Sequence, residues 1–276
     1  MEGYRAVLEL LRVGRRRVHE LWMLANPAQP AHFEELSALA RAVGIRIRKT
    51  DVAKMAQVAR TSANQGVVAL ADPLVAVGLD HLASRSMLRA TDGQWGMESS
   101  FASNAAGSVG GPFVAAPEPF VVVVDGVTDP GNLGALLRSA SAAGAAGVVL
   151  RRRRAVHITP TVTKAAAGSI EHLEFSVVAG IPAALAELSR RGLQIIGLDP
   201  DGDVSLFDMQ AGAGPVAVVV GSEGRGLSAL CKTRCDLLVA IPQARGVDSL
   251  NVSVATALGC YEVARRRHFL GALARP

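Results

Sequence analysis

The sequence predicts an α/β protein in which a parallel β-sheet is covered by helices on both faces. Two uniformly apolar segments, 120–124 and 216–220, have the length and the β-branched composition of strands that are buried on both sides. From residue 119 onward, segments of strand character alternate with segments of helical periodicity. Glycine-rich turns follow several of the predicted strands. Ligands of such sheets bind in the loops at the carboxyl ends of the strands, so these turns are the first places to search for a site.

Residues 1–85 predict a smaller α/β domain ahead of this sheet. Apolar residues recur at helical spacing over residues 4–14, and Gly14 suits the C-terminal cap of that helix. The other elements predicted here are a strand at 18–24, a helix at 30–43, a strand at 45–47, a helix at 52–59 and a strand at 66–70.

Residues 86–117 differ in character, because glycine, serine, proline and asparagine replace the regular apolar spacing. We interpret this segment as a flexible linker. Residues 118–276 then form the second domain. Its predicted elements are strands at 120–124, 147–150, 173–177, 194–198, 216–220 and 237–241, and helices at 133–143, 159–167, 181–191, 227–233 and 252–267.

Composition narrows the class of protein. Half of the residues are apolar and only 19% are charged, which argues against a disordered chain. No apolar run approaches the ~20 residues that a membrane helix needs, and the N-terminus lacks the apolar core of a signal peptide. Cys231, Cys235 and Cys260 are too few for a disulfide framework, and no further ligands cluster near them for zinc. We expect a reduced, cytoplasmic protein with neither a metal nor a membrane partner.

Arginines occur in four clusters, at residues 15–17, 151–154, 190–191 and 265–267, and the formal net charge is +5. A single cluster of this kind is usually a solvated face. Four clusters on one face would form a surface for a nucleic acid, but the sequence does not show whether they share a face.

The first loop of interest follows the strand at 120–124 and leads into a helix. Asn132 stands near the start of that helix, where it suits an N-cap. Arg138 follows six residues later. It is either a surface residue or a cation that points along the helix towards the strand ends and meets a phosphate.

The second loop follows the strand at 216–220 and reads GSEGRG. Its three glycines allow close backbone approach to a ligand and positive φ angles, although such a turn is also commonly only a turn. The spacing fits neither a dinucleotide-binding fingerprint nor a phosphate-binding loop, whose lysine is absent. Glu223 disfavours a bound di- or triphosphate, because two negative groups would meet.

The third loop leads from the strand at 237–241 into the last helix. Ser249 and Asn251 flank Leu250 at the start of that helix, and either can cap it. The helix is rich in small and apolar residues, which suits tight packing against other backbone or against a second subunit.

Together and in this order, the three segments resemble the signature motifs of the SpoU-type RNA 2′-O-methyltransferases of the SPOUT superfamily. The strongest match is SLNVSVA at residues 249–255, supported by GSEG at 221–224 and DPGNLG at 129–134. GYRAV at 3–7 and NQGVVA at 64–69 are similar to the N-terminal domain of the bacterial branch that methylates a guanosine ribose in 23S ribosomal RNA. The resemblance covers nearly the whole chain apart from the linker.

This resemblance implies a C-terminal trefoil knot and an RNA-binding N-terminal domain like ribosomal protein L30e. It implies S-adenosylmethionine as the cofactor, held in a bent form largely through backbone contacts. By motif position, the residues that line the cofactor pocket would be Gly197, Leu198, Gly221, Ile241 and Leu250. It also implies a homodimer with the last helix in the interface, and RNA instead of DNA as the substrate.

In the family, the counterpart of Arg138 is the principal catalytic residue. A guanidinium has a pKa above ~12, so holding a phosphate and stabilising the nascent alkoxide is an easier role than proton removal. The resemblance gives Asn132, Glu223, Ser249 and Asn251 the task of positioning that arginine and the target ribose. Glu223 is the alternative proton acceptor.

Gly131 departs from the family pattern, because related enzymes usually carry a histidine before the asparagine of this motif. We expect an altered substrate contact at most. The alternatives to a ribosomal RNA methyltransferase are a transfer RNA methyltransferase, a catalytically silent RNA-binding assembly factor, and an unrelated nucleotide-binding enzyme. The sequence has neither the phosphate-loop lysine nor the dinucleotide-binding pattern that the last of these alternatives requires. The joint presence of Asn132, Arg138, Glu223 and Asn251 favours an enzyme over a silent relative.

Overall fold

The computed structural model describes residues 1–27, 29–61, 64–84, 118–153, 155–244 and 249–267, and the linker predicted at 86–117 lies outside them. The helices are α1 Tyr4–Val13, α2 Pro30–Ala42, α3 Val52–Val58, α4 Leu79–Ser84, α5 Pro130–Ala142, α6 Pro160–Ala165, α7 Ile181–Arg190, α8 Ala229–Lys232 and α9 Val252–Arg266. The strands are β1 Val18–Leu24, β2 Arg46–Thr50, β3 Val67–Ala71, β4 Phe120–Val124, β5 Gly147–Arg151, β6 Glu174–Val178, β7 Gln194–Leu198, β8 Val204–Ser205, β9 Val216–Val220 and β10 Leu237–Ala240.

The N-terminal residues form a three-stranded sheet in the order β2-β1-β3, with β1 parallel to β2 and antiparallel to β3. Alternation along β1 directs Leu21 into the core, where it joins Leu10 of α1 and Leu36 of α2. Gly14, at φ 65°, ends α1 as predicted. The predicted helices and strands of this region are present, and β2 extends beyond the predicted 45–47.

The second sheet has seven strands, all parallel, in the order β6-β5-β4-β9-β7-β10-β8. Every residue of β4 and β9 is buried, as their uniformly apolar sequences predict. One core lies between this sheet and helices α5, α6 and α9, and a second core lies between the sheet and α4, α7 and α8. The predicted parallel sheet with helices on both faces is confirmed.

The strand order explains where a site can form. The chain starts at β4, builds β5 and β6 on one side, and then crosses to β7 on the other side, after which β9 inserts between β4 and β7. Because the strands are parallel, the carboxyl ends of β4, β7, β9 and β10 meet along one edge. Ligands of such sheets bind where the direction of winding reverses, which here is beside β4 and β9.

Helix α5 begins earlier than the predicted start at residue 133, because Asp129 caps it. The Oδ1 atom of Asp129 accepts the main-chain N–H of Asn132 at 2.7 Å. Pro130 suits the first helical position, where its missing N–H needs no partner. The prediction that Asn132 is the cap is therefore wrong, and its side chain is available for other contacts. Helix α8 differs from its prediction in the other direction, because it spans only part of the helix predicted at 227–233.

The N-terminal part of the chain docks onto the second sheet through a buried ion pair and a partly exposed histidine–carboxylate contact. Both carboxylate oxygens of Glu171, whose side chain is 1% exposed, receive hydrogen bonds from Arg16, one of them at 3.0 Å. His172 Nε2 lies 2.7 Å from a carboxylate oxygen of Glu9. Helix α1 thereby lies against the short 3-10 helix Ser169–His172.

Many of the clustered arginines form salt bridges or hydrogen bonds within the protein. Arg191 pairs with Glu187 at 2.7 Å, and Arg265 pairs with Glu262 at 2.7 Å. Arg267 donates to four main-chain oxygens, and burial lowers its pKa to about 10. The clusters therefore serve internal contacts to a large extent and do not by themselves mark a surface for RNA.

The cysteines are packed thiols. Cys231 and Cys260 are buried, and burial raises the pKa of each of them, and of Cys235, to about 12. Among the described residues, no three histidine, cysteine, aspartate or glutamate side chains form a group that could hold a metal ion. No helix in the same part of the chain has the length and apolarity to cross a membrane.

Candidate active site

The three loops that the sequence singles out meet at the carboxyl edge of the second sheet. Asn132, in the first turn of α5, donates through Nδ2 to a carboxylate oxygen of Glu223 in the loop after β9. Asn251, at the start of α9, donates through Nδ2 to Oδ1 of Asn132 at 2.9 Å. Residues that are 91 and 119 positions apart along the chain are thereby joined in one network.

Asn251 is both a helix cap and a member of this network. Its Oδ1 atom accepts the main-chain N–H of Ser253 at 2.8 Å and the hydroxyl of Ser253 at 2.6 Å. Of the two residues predicted as candidates for the cap, Asn251 holds it and Ser249 does not. Because the cap fixes Oδ1 of Asn251, the Nδ2 atom of the same side chain points to Asn132. Asn132 Oδ1 therefore accepts from Asn251, and Asn132 Nδ2 donates to Glu223.

A cavity of about 390 Å³ opens beside the network. Its volume lies within the range of ~300–1,000 Å³ that small-molecule sites occupy. Apolar side chains form much of its wall, and these are Leu198, Val220, Val239, Ile241, Leu250, Val252 and Ala255. Polar and charged lining residues are Asp199, Asp201, Ser222, Glu223, Arg225, Lys232, Gln243 and Ser249.

Four of the five residues predicted for a cofactor pocket line this cavity, namely Leu198, Gly221, Ile241 and Leu250. Gly197, the fifth, is not among the lining residues. A Cβ at Gly197 would lie 2.7 Å from Cys235 Sγ and 2.7 Å from Leu238 Cδ2, which pack on the opposite face of the sheet. Gly197 therefore allows Cys235 and Leu238 to pack closely against the sheet beneath the cavity.

The loop after β9 is a closed turn. Ser222 and Gly226 exchange two main-chain hydrogen bonds of 3.0 Å each. Gly224 and Gly226 have φ angles of 73° and 63°, in the region that favours glycine. A Cβ on Gly221 would collide with the main chain of Gly226. The glycine pattern shapes this turn and leaves bare main chain at the cavity wall.

An ion pair that the sequence analysis missed borders the cavity. Lys232 Nζ lies 2.9 Å from Oδ1 and 2.8 Å from Oδ2 of Asp199, whose side chain is 1% exposed. The hydrogen bond to Asp199 raises the pKa of Lys232. Asp199 directly follows β7, so its place after a parallel strand is a signal that could have found it. Lys232 carries no such signal, because it stands on α8.

Arg138 lies apart from these residues. It is exposed on α5 and is not among the lining residues of the cavity. Within the described part of the chain, its guanidinium makes no hydrogen bond or ion pair. The structure thus joins Asn132, Glu223 and Asn251 and leaves Arg138 on the surface.

Comparison with known protein families identifies the class of protein. The SpoU rRNA Methylase family matches residues 119–261, which span the parallel sheet and most of α9. A second family, described as RNA 2′-O ribose methyltransferase substrate binding, matches residues 1–75. The chain belongs to the SpoU rRNA methylase family, and its residues 1–75 are similar to the second family.

Curated relatives extend this likeness to nearly the whole chain. The 23S rRNA (guanosine-2′-O-)-methyltransferase RlmB of Ralstonia nicotianae is 36% identical over 96% of this chain and 94% of its own length. The putative TrmH family tRNA/rRNA methyltransferase YacO of Bacillus subtilis is 35% identical over 98% of this chain and 96% of its own length.

Solved structures show the same fold. The SpoU methyltransferase AviRb of Streptomyces viridochromogenes, in complex with its cofactor AdoMet, matches with a TM-score of 0.71 at 23% identity over 97% of this chain and 89% of that chain. A putative RNA methyltransferase of the TrmH family from Porphyromonas gingivalis matches with a TM-score of 0.69 at 24% identity over 96% of this chain and 89% of that chain.

Proposed function

We propose that this protein transfers a methyl group from S-adenosylmethionine to the 2′-hydroxyl of a guanosine ribose in 23S ribosomal RNA. The network of Asn132, Glu223 and Asn251 beside the cavity carries this proposal, since it unites all three motifs at one place. The likeness to the Ralstonia 23S rRNA methyltransferase supports ribosomal RNA as the substrate, whereas the name of the Bacillus relative, a tRNA/rRNA methyltransferase, also admits transfer RNA.

The cavity suits S-adenosylmethionine better than a nucleoside di- or triphosphate. Apolar side chains and bare main chain suit an adenosine and a thioether chain, and Leu198, Gly221, Ile241 and Leu250 would hold them. The carboxylate of Glu223 would repel phosphates and attract a positive sulfonium. When bound, this cofactor supplies an electrophilic methyl group.

The protein must hold the ribose hydroxyl in line with that methyl group and accept the hydroxyl proton. One carboxylate oxygen of Glu223 is fixed by Asn132, and the other accepts no hydrogen bond from the described residues. We therefore propose that Glu223 accepts the proton or orients the hydroxyl, and that Ser249 at the cavity wall offers a further hydrogen bond. Arg138 would hold the adjacent phosphate and stabilise the nascent alkoxide.

A homodimer would bring Arg138 close to a second subunit. Val254, Leu258 and Tyr261 form an apolar stripe on α9 at helical spacing, and they are 47%, 36% and 40% exposed. An exposed apolar stripe of this kind suits an interface between subunits. Helix α9 packs against α5, which carries Arg138, so an interface on α9 would lie near this arginine.

The family relationship also supports a C-terminal trefoil knot and an N-terminal domain like ribosomal protein L30e. Insertion of β9 between β4 and β7, together with the packing of α9 onto α5, supports the knot. The two family matches, 1–75 and 119–261, support domains at 1–85 and 118–276 on either side of a linker.

Methyl transfer from radiolabelled S-adenosylmethionine to deproteinised ribosomal RNA tests the proposal. We expect incorporation by the wild type and a loss of about 100-fold or more in Arg138→Ala, because removing one group that stabilises developing charge commonly has an effect of this size. Calorimetry should show that Arg138→Ala still binds S-adenosylmethionine. Arg190→Ala, which changes an arginine on α7, is the matched control and should retain activity.

Mapping the methylated nucleotide separates the alternatives. A 2′-O-methylguanosine in 23S ribosomal RNA supports the proposal, and a product found only in transfer RNA supports the alternative substrate. Cofactor binding without incorporation into either RNA would contradict the proposal and would favour a silent RNA-binding relative.

A further inference from the structure

A second cavity, of about 460 Å³, lies between the N-terminal domain and α6 of the methyltransferase domain. We propose that this seam cavity binds one unpaired nucleotide of the RNA substrate. Its lining includes Tyr4, Arg5, Gln29, His32 and Gln65 from the N-terminal domain, and Lys164 and Ala167 from α6 and the turn after it. The proposal rests on RNA as the substrate of the proposed function, and it assigns a contact away from the reacting atoms.

An aromatic stack forms one wall of the seam cavity. The rings of Tyr4 and His32 lie 4.0 Å apart between centroids and are within 12° of parallel. The hydroxyl of Tyr4 donates to Glu35, which also receives a hydrogen bond from Arg12 at 2.7 Å. These contacts hold the tyrosine ring in place. Fixed aromatic rings are the usual platform on which proteins stack unpaired RNA bases.

Backbone strain is concentrated at the same cavity. Among the described residues, Gln65 and Ala167 are the two non-glycine residues with positive φ, at 54° and 51°, and both line this cavity. Such conformations are unfavourable for residues other than glycine and occur preferentially at ligand sites. A neighbouring turn, in which Asn64 Oδ1 accepts the N–H of Gly66 at 2.8 Å, holds Gln65 in this conformation.

Gln65 is oriented to act as a hydrogen-bond donor. Its Oε1 atom accepts the main-chain N–H of Tyr4 at 2.9 Å, so the amide NH₂ group remains to donate. Gln29, which is exposed at the same cavity, offers a second amide. Amide side chains of this kind read the edges of bases that have left a stack.

Charge at the seam cavity favours a phosphate group beside the base. Arg5 and Lys164 are exposed and make no ion pair within the described part of the chain. The acidic lining residue, Glu2, is already engaged, since its carboxylate accepts the main-chain N–H groups of Arg60 at 2.6 Å and Thr61 at 3.0 Å. One cation from each domain is thus free to contact the RNA backbone.

The ring stack, the amide donors and the free cations together indicate that the cavity binds a single-stranded segment of RNA. A ring stack and amide donors contact a base only when that base is unpaired, because the bases of an A-form helix are stacked and deeply placed. Lys164 and Ala167 lie outside residues 1–75, the range of the substrate-binding family match. The site is therefore completed only when both domains are docked.

Fluorescence anisotropy with a labelled single-stranded RNA of about 12 nucleotides, within the usual range of such sites, tests the seam cavity in the full-length protein. We expect His32→Ala to weaken binding about fivefold or more, as loss of one stacked base does. His32→Phe keeps a ring and should bind like the wild type. Lys164→Ala should weaken binding and lower the magnitude of the salt slope by about 0.7, the contribution of one phosphate contact on a single strand.

Arg41→Ala is the control, because Arg41 lies at the far end of α2 from His32 and is not among the cavity residues. Each variant must keep the wild-type melting temperature and affinity for S-adenosylhomocysteine. Unchanged RNA binding in both His32→Ala and Lys164→Ala would overturn the proposal, as would an equal effect of His32→Ala on an RNA duplex. A protein that binds the RNA as expected but transfers no methyl group would overturn the proposed function and leave the seam cavity standing.

Discussion

Asp129 and Asn132 have similar side chains and stand three residues apart, but they perform different tasks. Asp129 closes the first turn of α5, and this leaves the amide of Asn132 to contact Glu223 and Asn251. Only Asn132 was predicted as the cap, although aspartate is favoured at that position as well. The proline that follows Asp129 decides the matter, since it suits the first helical position.

Substitution of these two residues should separate stability from activity. We expect Asp129→Ala to lower the free energy of unfolding by about 1 kcal/mol, the usual effect of losing an N-cap. Asn132→Ala loses two solvent-exposed side-chain hydrogen bonds and no cap, so it should lower the free energy of unfolding less than Asp129→Ala does. It should reduce methyl transfer by about tenfold or more. Chemical denaturation and a single-turnover methylation assay measure the two effects. Equal destabilisation by both variants would contradict this division.

Burial should make the thiols unreactive in the folded protein. The pKa of Cys231 and of Cys260 is raised from 9.0 to about 12, so the thiolate is scarce at neutral pH. We expect slow labelling by a thiol reagent at about pH 8 in the native state and rapid labelling after denaturation. Each of these thiols has a higher pKa in the folded protein than in the unfolded chain. Their titration therefore leaves the stability of the fold unchanged below about pH 9 and lowers it as the pH rises towards 12. Rapid native labelling would contradict the burial.

Packing between helices depends on single residues. Gly134 of α5 lies so close to α6 that a Cβ would lie 2.9 Å from the main-chain oxygen of Val162 and would collide with Ala165. We expect Gly134→Ala to destabilise the protein by about 1–3 kcal/mol, because overpacking forces the helices apart. Gly214→Ala is the control, since nothing lies within 4 Å of its Cβ position. Thermal denaturation compares the two, and a stable Gly134→Ala would refute the close approach.

The secondary structure could be predicted closely, whereas the arrangement of the elements could not. The strands β4 and β9 match their predicted limits, because uniform burial leaves an unmistakable apolar pattern. Helix α4 and strand β8 have only six and two residues, which is too short for a periodic signal. Strand order leaves no local signal in the sequence. The prediction that Asn132, Glu223 and Asn251 act at one site therefore rested on motif resemblance and not on periodicity. The Asp199–Lys232 pair has no motif resemblance and was missed, although the place of Asp199 directly after β7 is a signal that could have found it.

The contact between the N-terminal residues and the second sheet depends on Glu171, which is buried at this contact. Glu171→Ala would remove the carboxylate that pairs with Arg16. The side chain of Arg16 is only 14% exposed, and it would keep its hydrogen bond to the main-chain oxygen of Asp72 but lose its counter-ion. We expect destabilisation of about 3 kcal/mol, as is usual when one member of a buried pair is removed. Glu187→Ala breaks an exposed pair with Arg191 and should have an effect below about 1 kcal/mol. Equal effects in denaturation would show that Glu171 is not a buried anchor.

These docking contacts set the geometry in which the two halves meet, without any contribution from the peptide chain between them. The Arg16–Glu171 and Glu9–His172 pairs connect residues before 84 with residues after 118 by direct non-covalent contact. Two separate polypeptides, divided between these positions and produced together, should therefore assemble into a functional enzyme. The covalent connection raises the local concentration of one half near the other, so cutting it would change how readily the halves meet and not the geometry in which they meet.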